Sequence, residues 1–191
     1  MRLILASNSP RRKELLLNAG FDFEIRASRV EEIRREGEAA VEFVCRLARA
    51  KASAVAASAP AGSLVLGADT VVVIDDQILG KPASPDAAAR MLRLLAGRTH
   101  RVITGVCLIL APRRIAALKH EVTRVTFSAL DEKEIRDYVT SGEPMDKAGA
   151  YGIQRLASKF VTCVEGSYFN VMGLPVHLVY DMLKPFLFRR Q

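Results

Sequence analysis

The segment Ala6-Ser7-Asn8-Ser9-Pro10-Arg11-Arg12-Lys13-Glu14 joins a helix start to three consecutive cations. Ser9 has the chemistry of an N-cap and Pro10 that of a first helical residue, so the turn before them hands over to a helix. The free N–H groups and positive dipole end of a helix start favour acids in the first turn. Arg11, Arg12 and Lys13 therefore stand against the local field, and a bound anion, phosphate above all, removes the conflict. The competing reading has the three side chains pointing into solvent. That explains any one of them more readily than the set.

A second group is Gly67-Ala68-Asp69-Thr70-Val71-Val72-Val73, in which Asp69 interrupts an apolar run. A carboxylate buried there is costly unless it is paired or bound to a metal. Its alternative is a strand end or bulge, beside Gly67, with the side chain in water. In Gly80-Lys81-Pro82 the proline holds the lysine backbone extended, so Lys81 loses less freedom on gripping a ligand. Composition nominates no metal ligand among Glu31, Glu32, Glu36 and Glu38, which read as a solvated charged segment. His100, His120 and His177 lack ligand spacing and read as structural or exposed.

These groups must be held by an alternation of strands and helices. Leu3 to Ala6 reads as a buried strand, Phe21 to Ile25 as a half-exposed one, and the Ser9-capped helix lies between them. Val41, Val44, Ala48, Ala52 and Val55 give Ala39 to Ala57 one buried helical face. Leu64 to Ile74 is a strand, turned at Asp75 and Asp76 into a hairpin with Gln77 to Leu79. Ser84 and Pro85 open a helix ending near Gly97, and strands follow at Arg101 to Leu110 and Lys119 to Phe127. Asp131 and Glu134 form a capping box for a helix that stops by Gly142. A loop, one or two strands around Phe160 to Val164 and a helix after Pro175 complete an α/β plan.

With 191 residues, 50% of them hydrophobic, the chain can build one sizeable core, and no repeat or long linker argues for more than a single domain over 1–191. No apolar run resembles a secretory or membrane-spanning segment, which makes a soluble, cytoplasmic protein with no membrane partner the expectation. Cys45, Cys107 and Cys163 match neither a disulfide framework nor zinc spacing and read as small core hydrophobes. A formal charge of +7 attracts anions without choosing among nucleotides, nucleic acid and lipid headgroups.

Taken together, the segments resemble the Maf family along essentially the whole chain. The blocks are Leu5 to Arg12, Gly67 to Val72, Gly80 to Pro82, His100 to Val106, Asp146 to Gln154 and Gly166 to Pro175, in family order. Tyr151-Gly152-Ile153-Gln154 resembles the branch acting on dTTP and UTP rather than that associated with 7-methylguanosine triphosphate. The resemblance implies an elongated α/β fold, similar to inosine triphosphate pyrophosphatases, with a twisted mixed sheet flanked by helices and two lobes around a cleft. It implies a divalent metal, Mg²⁺ or Mn²⁺, and a homodimer. By matching motif, Asp69 is the proton acceptor, and Arg12, Thr70 and Gln154 are linked to substrate choice. Ser7, Arg11, Glu32, Lys51 and Lys81 are further cleft positions. Arg155 departs from the family, which usually has glycine there.

The implied reaction is hydrolysis of dTTP and UTP, with modified pyrimidine nucleotides as further substrates, to the monophosphate and pyrophosphate. It carries an association with nucleotide-pool cleaning and cell-division arrest. Such chemistry needs charge neutralisation, an in-line water and its activation. On this reading Ser7, Arg11, Arg12, Lys51 and Lys81 hold phosphate, Asp69 with Glu32 holds the metal, and Asp69 orients or deprotonates water. The amide of Gln154 matches the O4 acceptor and N3–H donor of uracil or thymine. The alternative is a non-catalytic regulator of cell division that binds nucleotide or nucleic acid. Stable nucleic-acid binding is not expected, because aromatics are 6% and the basic pairs Arg34-Arg35, Arg113-Arg114 and Arg189-Arg190 are scattered.

Overall fold

A computed structural model describes residues 2–187. Strand β1 (Leu3–Leu5), wholly buried, runs parallel to β2 (Glu24–Ile25) on one side and to β3 (Leu64–Ile74) on the other. Helix α1 (Pro10–Asn18) leaves the end of β1 and α2 (Ala40–Ala56) precedes β3. The chain thus departs from β1 first to one side and then to the other. In open α/β sheets the carboxyl ends of strands at such a reversal are where ligands bind.

Among the described residues the sheet has seven strands in the order β2-β1-β3-β5-β6-β7, with β4 (Gln77–Leu79) antiparallel to β3. The turn into β4 has Asp75 and Asp76 at φ 45° and 62°, as a tight hairpin demands. β5 (Thr99–Leu110), β6 (Arg114–Phe127) and β7 (Val161–Glu165) complete it, with α3 (Pro85–Leu95), α4 (Glu132–Thr140), α5 (Tyr168–Val171) and α6 (Val176–Leu187). Ser84 caps α3, and Asp131 with Glu134 caps α4, as their residue types predict. By contacts the described chain forms two compact units. One holds 2–69, 104–121 and 173–187; the other holds 70–103 and 122–172.

The helix–sheet contact that positions the chemistry lies in the first unit. A Cβ on Gly67 would fall 2.3 Å from the Ala48 carbonyl oxygen, and one on Gly105 would fall 2.5 Å from that of Val44. Two glycines thus let α2 lie directly on the sheet. Ala48, Ala52, Val55 and Ala56 join Ile4, Ala6, Val65, Cys107 and Ile109 in one buried cluster.

Several sequence expectations change. β2 is two residues long rather than five, because Glu24 is held by Arg2 and Arg26 at a sheet edge and Ile25 is exposed. β6 begins at Arg114, five residues before the expected start; its first half is largely exposed, so no alternation marks it. The segment read as a loop after Gly142 contains short 3₁₀ turns at Glu143–Asp146, Ala148–Ala150 and Leu156–Phe160. Only Cys107 is a buried cysteine; Cys45 is half-buried and Cys163 exposed. His100 is structural, buried with Nε2 2.8 Å from the Tyr151 hydroxyl, while His120 is exposed. No helix among the described residues is long and apolar enough to cross a membrane. Arg189 and Arg190 lie outside the described residues.

Candidate functional site

Asp69 is on β3 two residues after Gly67, on the strand face that meets α2, since alternate strand residues share a face. The side chain of Lys51, from α2, crosses that contact. Its ammonium donates to Asp69 Oδ1 and Glu32 Oε1, each at 2.6 Å. Asp69 is only 5% exposed and Lys51 8%. The water-facing alternative for Asp69 is therefore excluded: its carboxylate is buried and paired. Glu32 comes from the irregular connection between β2 and α2 and is half-exposed at its side chain. It is the one acid of its run that reaches this ammonium.

Burial raises the Asp69 carboxyl above the ordinary aspartate value, while Lys51 and then Arg12 pull it back and Glu32 adds to the rise. Burial likewise lowers the Arg12 guanidinium, against the fields of Asp69 and Glu32. Arg12 and Arg11 also repel one another. Arg12 and Lys51 thus share one electrostatic neighbourhood with Asp69 and Glu32, and Arg11 adjoins it through Arg12.

The helix start behaves as its residue types require. Ser9 Oγ accepts from the Arg12 N–H at 3.5 Å, and Ser7 Oγ accepts from the Ser9 N–H at 3.2 Å. Arg12 turns back from the helix: Nε donates to the Gly173 carbonyl at 2.8 Å and Nη1 to Ser7 Oγ at 3.3 Å. The conflict between cation and dipole is thus answered in part by protein oxygens. Sequence reasoning missed Gly173 as an acceptor, although its block had been noticed; a backbone carbonyl leaves no trace in residue type.

Ser7, Arg11, Arg12, Glu32, Lys51 and Asp69 all belong to the first unit. Thr70 follows Asp69 on β3 and is half-buried. In the second unit the Gly149 N–H donates to the Gly80 carbonyl at 3.0 Å, which ties the turn bearing Lys81 to the block bearing Gln154. Lys81 is exposed and Gln154 half-buried. Arg155 is exposed, with φ −128°, so its backbone does not require the glycine usual in the family.

A hard divalent cation prefers carboxylate oxygens. Glu32 and Asp69 already converge on one cation, the Lys51 ammonium, so the donor set fits such an ion. No group of three His, Cys, Asp or Glu side chains suited to a metal occurs among the described residues. Two carboxylates would leave the remaining positions to phosphate oxygens and water.

A family model described as Maf-like protein matches residues 2–186. A dTTP/UTP pyrophosphatase of Koribacter versatilis is 51% identical over 184 residues, 96% of this chain and 94% of that protein. Another from a Geobacillus species is 54% identical over 175 residues, 92% of each chain. Among solved structures, the Ham1 protein of Staphylococcus aureus aligns over 97% of this chain and 100% of its own with a TM-score of 0.53. At 13% identity that likeness is one of fold: a mixed sheet flanked by helices.

Proposed function

Because this chain belongs to the Maf family, we propose that it is a nucleoside triphosphate pyrophosphatase that hydrolyses dTTP and UTP between the α and β phosphates. The observation that carries the reading is the convergence of Lys51 on Asp69, within β3, and on Glu32, in a chain about half identical to proteins of that name.

Glu32 and Asp69 are the residues that would hold Mg²⁺ or Mn²⁺, which would supply neutralisation of phosphate charge and a more acidic water. Arg11, Arg12, Lys81 and Ser7 bind phosphate oxygens, the arginines with planar forks suited to two oxygens at once. Asp69 orients the attacking water and accepts its proton, a role its raised pKa favours. Lys51 keeps the two carboxylates together and is a further cation for the polyphosphate. Thr70 and Gln154 contact the nucleoside, the Gln154 amide pairing with O4 and N3–H of the base. A homodimer acting in the cytoplasm belongs to the same reading, and light scattering checks the dimer.

A panel of canonical and modified nucleoside triphosphates, assayed with and without added inorganic pyrophosphatase and with and without chelator, tests the function. Phosphate from UTP and dTTP only when pyrophosphatase is added is the expected pattern. In the chelator arm, where the nucleoside monophosphate is followed directly because the coupling enzyme itself needs Mg²⁺, no product is expected. Phosphate without the added enzyme would mean cleavage at another bond. Undiminished turnover under chelator would remove the metal.

A further inference from the structure

Gln154 lies inside a short irregular stretch whose two ends are tied to Glu143, one through the Tyr138 hydroxyl and one directly. The Gly152 N–H donates to the Tyr138 hydroxyl at 3.3 Å, and that hydroxyl donates to Glu143 Oε1 at 3.0 Å. At the other end the Leu156 N–H donates to Glu143 Oε2 at 3.3 Å. Across the stretch the Arg155 N–H closes on the Gly152 carbonyl at 3.2 Å. Glu143 is fixed in turn: its own carbonyl accepts from Lys147 Nζ at 2.6 Å, and the same ammonium meets Asp146 Oδ1 at 2.5 Å.

Lys147 is buried, and its alkyl stem runs against Gly152. A Cβ on Gly152 would fall 2.7 Å from Lys147 Cε and 2.9 Å from Cδ. Just upstream, Gly149 and Ala150 have φ 68° and 61°. A left-handed alanine is strained and persists where its surroundings over-determine it.

A carboxamide presents one donor end and one acceptor end, and it can turn over. Uracil offers an acceptor at O4 and a donor at N3; cytosine offers the reverse. A freely turning Gln154 would read both bases alike, so discrimination requires that one orientation be held. Residues 151–155 belong to no helix or strand. Besides the buried Tyr151 ring and their own turn, their backbone is pinned at Gly152 by the Tyr138 hydroxyl and the Lys147 stem and, just beyond, by Glu143 at Leu156, which fixes where the Gln154 side chain departs.

We propose that Glu143 and Lys147 are positioning residues for Gln154, and that their clamp sets the selectivity for uracil and thymine over cytosine. The inference rests on the reading of Gln154 given above. The measurement is the UTP to CTP ratio of kcat/KM, with a melting curve for each variant. Gln154→Ala defines the unselective limit. Gly152→Ala, which displaces the lysine stem but meets no left-handed φ, is expected to lower the ratio about tenfold, in the range that pocket contacts command. Lys147→Ala lowers it too, and in that background Gly152→Ala costs no further selectivity, because the room has been vacated. If Gly152→Ala does not fold, Lys147→Met, which keeps the stem and removes the ammonium, carries the comparison. Folded clamp variants with the wild-type ratio beside a collapsed ratio in Gln154→Ala would overturn the clamp alone. A wild-type ratio in Gln154→Ala would overturn the reading of Gln154, and the clamp with it.

Discussion

The backbone nitrogen of Ala52 lies 2.7 Å from where a side chain on Gly67 would begin. Ala52 follows Lys51 on α2, and Asp69 shares the strand face of Gly67, so this contact sets the reach of the ammonium to its carboxylate. Gly67→Ala is expected to push α2 off the sheet at a cost of about 1–3 kcal/mol, the usual range for overpacking a core. Turnover should fall at least tenfold with it. Urea denaturation and UTP hydrolysis measured on the same preparation check both, and an active, equally stable variant would contradict the contact.

Asp69→Asn retains the side-chain shape and an oxygen for Lys51 while removing the charge. The fold should survive, and kcat should drop by about 10²–10⁴, the contribution typical of a positioned base. Circular dichroism and pyrophosphate release from dTTP decide it. Wild-type hydrolysis by the folded variant would take the assigned role from Asp69.

For Arg12→Ala two effects oppose each other without ligand. Relief from the helix dipole gains about 0.3–1 kcal/mol, and loss of the charged bonds to the Gly173 carbonyl and Ser7 costs about 1.5–3 kcal/mol. The metal-free, ligand-free melting temperature should therefore fall modestly. Pyrophosphate with Mg²⁺ stabilises a protein by about 2.7 kcal/mol at a hundredfold excess over Kd, and the variant should lose much of this gain. Melting curves of both proteins under both conditions give the comparison; a full ligand shift in the variant would place the phosphate elsewhere.

Burial pushes the His100 imidazole down to about 4 from 6.5. The folded protein then binds fewer protons than the unfolded chain between these values. This contribution to stability is complete above pH 6.5 and is lost as pH falls towards 4, at roughly 1.4 kcal/mol per pH unit. Urea denaturation across that window should show a steeper decline for wild type than for His100→Gln. Parallel curves would mean that His100 is not kept neutral.

Where residue types act through local chemistry, the structure follows the sequence directly. Ser9, Ser84 and Asp131 announced their helices, and Asp75 with Asp76 announced the hairpin, since caps and tight turns depend on local chemistry. Asp69 stood out because a carboxylate in an apolar strand needs a partner. The partner was not legible from spacing: Lys51 is 18 positions away and meets Asp69 only because Gly67 admits α2. Lys51 and Glu32 entered through family resemblance instead. The brace of Glu143 and Lys147 went unseen because most of its bonds involve backbone atoms, which every residue carries.

Lys51 is a counter-ion built into the chain. Two neighbouring carboxylates, one of them buried, would repel each other if left to themselves, yet here the chain supplies its own counter-ion between them. The protein therefore does not depend on a captured metal to keep this corner assembled during folding. On the proposed reading, loading a divalent ion here would be an exchange of one cation for another rather than the filling of a bare hole, and dialysis against chelator should leave a folded, inactive and reloadable protein.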